Sequence, residues 1–111
     1  MRPRAYFEVE FESFCSEPTR SVFCSVSDAE VLTFASANLK PSSELFVACL
    51  GKGVDFRNLI VEVAANGRAT VIVHEHRGFI ADGLTLDVAV GALQYWLPMQ
   101  EKIPSIQWAD Q

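Results

Sequence analysis

His74 and His76, with Glu75 between them, are the cluster in this chain whose spacing suits metal ligands. On a strand, residues two apart share a face, as two zinc-bound imidazoles would need. A zinc site takes a third protein ligand, and no neighbouring residue nominates one. The expectation is therefore a polar strand end, with no metal and no other cofactor. A second pattern is Glu8, Glu10 and Glu12. On a strand these carboxylates stand on one side, about 7 Å apart. Glycosidases divide acid and base roles between two such groups. That division needs contrasting environments, and these three are alike. The row reads either as a solvated strand face or as a docking surface for a cationic partner.

Other motifs are weaker. Gly51-Lys52-Gly53 lacks the Gly-x-x-x-x-Gly-Lys-Ser/Thr spacing and the following helix of a phosphate loop, and reads as a turn. No serine stands in a Gly-x-Ser-x-Gly elbow. No feature favours a cysteine or serine nucleophile, so the chain is not expected to be an enzyme. Phe56 and Phe79 sit beside charge, in Asp55-Phe56-Arg57 and Arg77-Gly78-Phe79. Aromatics beside arginine in loops serve as interface anchors, and they also fold back onto cores. Cys15, Cys24 and Cys49 are odd in number and lack metal spacing. They read as reduced thiols, with a Cys15–Cys24 bridge across a hairpin as the alternative.

The elements that must position these residues follow from periodicity. Phe7, Val9 and Phe11 alternate with the glutamates in a half-buried strand from Tyr6 to Glu12. Turn residues Ser16 to Thr19 precede a second strand, Ser21 to Ser25. Ser27-Asp28-Ala29-Glu30 is a capping box that starts a helix running to about Ala37, with Val31, Leu32, Phe34 and Ala35 inward. Glu44 to Leu50 is an apolar central strand. Asn58 to Ala65 and Arg68 to Glu75 flank the hairpin signal Asn66-Gly67. His76-Arg77-Gly78-Phe79 reads as an exposed connection.

The chain closes on Gly83 to Trp108. Thr85 caps a strongly apolar helix through Leu86, Ala89, Val90, Leu93, Trp96 and Leu97, and Pro98 stops it. Gly91 costs about 0.5–1 kcal/mol against alanine inside a helix, which suggests a neighbour packed closely there. Ser105 to Trp108 reads as the last strand. The expected fold is α+β: a mainly antiparallel sheet of about five to six strands with two helices packed on one face, in a single domain.

The chain has 111 residues, half of them hydrophobic, enough for a packed core. Nine basic against fourteen acidic residues give a net charge of -5. That argues against binding nucleic acid and is compatible with a basic protein partner. No stretch approaches a membrane span, and glutamates interrupt the N-terminal apolar residues, so neither a membrane segment nor a signal peptide is expected and the cytoplasm is the expected location.

Asp82-Gly83-Leu84, the helix with Ala89 and Ala92, the turn through Pro104 and the ending Ile106-Gln107-Trp108 resemble the C-terminal signature of bacterial immunity proteins. These guard against polymorphic and contact-dependent growth inhibition toxins. The early helix, the Asn66-Gly67 hairpin and the length also fit. Glu101-Lys102-Ile103 departs from the glycine common in that family before the late proline, and Tyr95-Trp96-Leu97 makes the helix more apolar. The resemblance implies a noncatalytic inhibitor of one toxin domain, often a nuclease or deaminase. The expected contacts are Glu8, Glu10 and Glu12 as the electrostatic face, and Asp55, Phe56, Arg57, Glu75, His76 and Phe79 as loop contacts. The alternatives are a small α+β ligand-binding or enzyme domain with a pocket between sheet and helix, and a module that dimerises over Tyr95-Trp96.

Overall fold

The computed structural model describes residues 5–15, 17–51 and 56–111. Their elements are β1 (Tyr6–Ser13), β2 (Thr19–Ser25), α1 (Asp28–Asn38), β3 (Ser43–Leu50), β4 (Arg57–Val63), β5 (Ala69–His74), β6 (Gly78–Leu84), α2 (Leu86–Met99) and β7 (Ala109–Asp110). The strands form one sheet in the order β2-β1-β3-β4-β5-β6-β7. Every neighbouring pair is antiparallel.

Alternation decides which face is covered. Phe7, Val9 and Phe11 on β1 stand in register with Cys49, Val47 and Leu45 on β3. Val47 and Leu45 in turn meet Leu59 and Val61 on β4, which meet Val73 and Val71 on β5. All are buried in one core. Both helices cover this face, with Val31 and Ala35 from α1 and Ala89, Ala92, Leu93, Trp96 and Leu97 from α2. Each large apolar side chain so buried contributes about 1.5–3 kcal/mol before entropy.

The helix starts are capped by hydroxyls. Thr85 Oγ1 accepts from the Val88 N–H at 3.3 Å. Ser27 Oγ accepts from the Glu30 N–H at 3.2 Å. The return half of the capping box runs through a third residue. The Ser25 hydroxyl donates to Glu30 Oε2 at 3.0 Å and accepts from the Ser27 N–H at 3.0 Å. Glu30 therefore holds the cap through Ser25, and the end of β2 is tied to the start of α1.

Several sequence expectations are corrected. The sheet has seven strands among the described residues, because the connection expected after His76 is β6. The segment GFIADGL lacks clean alternation, and its backbone steps irregularly against β5 between Ala69 and Val71. Gly83, with φ of 67°, supplies the left-handed residue beside that irregularity. The last strand is Ala109–Asp110, after the expected Ser105 to Trp108. There the Trp108 indole N–H donates to the Ile103 carbonyl at 2.9 Å, within a turn. The hairpin at Asn66-Gly67 is longer than a two-residue turn. Gly67 N–H donates to the Ala64 carbonyl and Ala64 N–H to the Arg68 carbonyl, and Gly67 has φ of 84°. That is the three-residue loop with a glycine bulge.

Pro98 lies in the last turn of α2, and the helix ends one residue later on a left-handed Gln100. A Cβ on Gly91 would meet nothing within 4 Å, so no close neighbour explains that glycine. Cys15, Cys24 and Cys49 are all free. Cys24 pairs with Glu8, five register positions from the Ser13–Thr19 end of the hairpin where Cys15 follows. Five positions are about 17 Å of strand, far beyond disulfide reach. Trp96 is fully buried and presents no surface for dimerisation.

Candidate docking surface

The other face of the sheet carries the opposite parity of every strand. Many of its side chains keep part of their surface exposed, whereas those on the helix side are largely buried. Strand register arranges them in rows that cross the strands.

One row is acidic. Glu12 on β1 stands directly opposite Glu44 on β3, and Glu44 opposite Glu62 on β4. Further along, Thr70 on β5 donates its hydroxyl to Asp82 Oδ1 on β6 at 2.8 Å. At the β2 end, Arg20 lies 3.6 Å from a Glu10 oxygen and 3.7 Å from a Glu12 oxygen. Among the described residues it is the one cation in ion-pair range of this face. Burial pushes the Glu44 carboxyl above its ordinary range, and the charges of Glu62 and Glu12 push it further.

The adjacent row is apolar. Phe46, Ile60, Ile72, Ile80 and Ala109 are successive cross-strand partners on β3 to β7. On β1 this row passes through Glu10, and on β2 through the exposed Val22. A third row is polar, with Glu8, Asn58 and His74. His74 Nδ1 lies 2.8 Å from Asn58 Oδ1.

Glu8, Glu10 and Glu12 thus share the uncovered face as the alternation predicts. The other expected contacts among the described residues do not join them. Asp55 lies outside the described residues. Phe56 is 58 % exposed just after that stretch. Arg57, expected in a loop, begins β4, and its Nη1 donates to the Gln100 carbonyl at 2.9 Å. It supplies the cation at the C-terminal end of α2, whose own last turn has none. Glu75 Oε1 accepts from the Lys102 N–H at 2.8 Å. Phe79 is a strand residue on β6, with Lys102 Nζ 4.2 Å and Arg77 5.2 Å from its ring centre. Arg57, Glu75 and Phe79 therefore anchor the segment after α2, while His76 stays exposed in the turn after β5. That turn also ends the strand at His74, so the two histidines do not share a strand face. Among the described residues no three His, Cys, Asp or Glu side chains converge as metal ligands.

A surface groove of about 590 Å³ lies beside Ile80, Asp82, Leu84 and Val88 and the segment 105–109. Trp96 is buried between sheet and helices, its ring centre 6.2 Å from that of Phe7. No described helix is long and apolar enough to cross a membrane. The chain matches no family model, no curated protein and no solved structure.

Glu44, Glu62, Asp82 and the apolar row beside them are the functional candidates that periodicity alone missed. Each occupies a position on the face opposite the helices, but their adjacency arises from pairing between strands, which no single strand's pattern shows.

Proposed function

We propose that this chain is an immunity protein, a cytoplasmic inhibitor without catalytic activity that binds one basic toxin domain and blocks its active site or substrate path. The observation that carries the reading is the directly opposed row of Glu12, Glu44 and Glu62 on an uncovered sheet face. Like charges directly opposite one another across strands destabilise a sheet. The free domain gains nothing from this repulsion, whereas a cationic partner converts it into attraction. Toxins that act on nucleic acid carry cationic clefts for the phosphates. A carboxylate-lined face occupies such a cleft and speeds encounter with it. The resemblance of the C-terminal third to immunity proteins points the same way.

The test is co-expression with the toxic domain encoded next to this chain. Rescue of growth together with co-purification of the two proteins is the expected result. Failure to rescue growth, or failure of the two proteins to co-purify, would overturn the reading.

A further inference from the structure

We infer that the partner presents a basic amphipathic helix that lies across the strands, its apolar side chains over Phe46, Ile60, Ile72 and Ile80 and its arginines or lysines over Glu12, Glu44 and Glu62. This rests on the reading above that the partner is a cationic protein. Two independent features of the face give the orientation. The carboxylate row and the apolar row run side by side, two strand residues apart, and both cross the strands. Two residues are about 7 Å, within the roughly 10–12 Å width of a helix with its side chains, so one helix covers both rows. From Glu12 on β1 to Ile80 on β6 the named contacts span four strand spacings, about 19 Å, the length of about 13 helical residues.

Charge selects the occupant. A nucleic acid would set phosphates against the carboxylates. A second copy of this chain would bring the same acidic row with it. A helix that is basic all round would leave the apolar row wet, and an apolar helix without cations would bury Glu44 and its neighbours unpaired. Arg20 already shows the pairing on a small scale, bridging Glu10 and Glu12 from β2.

The probe is a synthetic helical peptide of about 13 residues, with leucines along one stripe and arginines along one flank, titrated into the full chain while backbone amide shifts are followed. Shifts at Phe46, Ile60, Ile72 and Ile80, lost in high salt, are expected. The Glu12→Gln, Glu44→Gln, Glu62→Gln variant, with its fold checked by thermal melting, should bind about tenfold more weakly, as expected when three charge-assisted contacts are lost. Ile60→Thr should weaken binding while keeping the charges. Shifts that map elsewhere, equal binding by the triple variant, equal binding by a peptide with glutamates in place of the arginines, or self-association through this face would overturn the inference. The two readings fail separately. If the wild-type chain rescues cells and the triple variant rescues equally well, this inference fails and the inhibitory function stands. If the peptide binds as expected and the wild-type chain gives no rescue, the function fails instead.

Discussion

At the scale of single residues, Glu44 carries the clearest electrostatic conflict. Its carboxyl is pushed up by burial and by two facing glutamates. A carboxyl whose folded pKa lies above its unfolded value adds stability below the unfolded pKa and loses it as pH rises through the folded one. At neutral pH the ionised Glu44 therefore works against the fold. Glu44→Gln should raise stability at pH 7 by a few tenths to about 1 kcal/mol and have little effect near pH 3, where the carboxyls are protonated. Urea unfolding at the two pH values checks this, and a loss of stability at pH 7 would contradict it. The cysteines give a second residue-level expectation. Burial pushes the Cys49 thiol up, while Cys15 and Cys24 are exposed. A thiol reagent should label two cysteines quickly in the native state and the third only on unfolding. Rapid labelling of all three would contradict the placement of Cys49.

At the scale of elements, α2 combines a good cap with an unexplained weak point. Gly91 has open space where a Cβ would go. Gly91→Ala should stabilise the protein by about 0.5–1 kcal/mol through the unfolded chain. A lower melting temperature would mean that the helix needs glycine for a reason outside its local geometry. The same helix shows how much of the fold was legible. Its start at Thr85, its apolar stripe and the alternation of β1 follow from periodicity and capping, because both are local. The strand β6 was not legible, since glycine, aspartate and a bulge hide its pairing. Nor was the candidate docking face. Glu12, Glu44 and Glu62 are far apart in the chain, and only the pairing of β1, β3 and β4 makes them neighbours. Arg57 and Phe79 looked like free loop contacts because the chain alone does not reveal that the segment after α2 comes back to meet them.

At the scale of the whole molecule, one sheet has one face sealed and one face open. The sealed face depends on Trp96, fully buried against Phe7 and its neighbours. Its Nε1–H has no acceptor among the described residues, so the side chain contributes by bulk. Trp96→Ala should cost about 3–5 kcal/mol, a large part of the stability of a domain this size. Trp96→Phe should cost much less, because the smaller ring also removes the unpaired donor. Denaturant midpoints for the two variants check the ranking, and equal losses would contradict it. The open face, by contrast, carries charges that the free molecule does not need. Under the proposed function its contribution belongs to the complex.

The most direct measurement of that claim is the association rate with the proposed toxin partner, across a range of salt concentrations. With Glu8, Glu10 and Glu12 changed to lysine, association should slow by at least about tenfold at low salt, and its salt dependence should flatten or reverse. Unchanged rates and an unchanged salt dependence would contradict the assignment of this face as the docking surface.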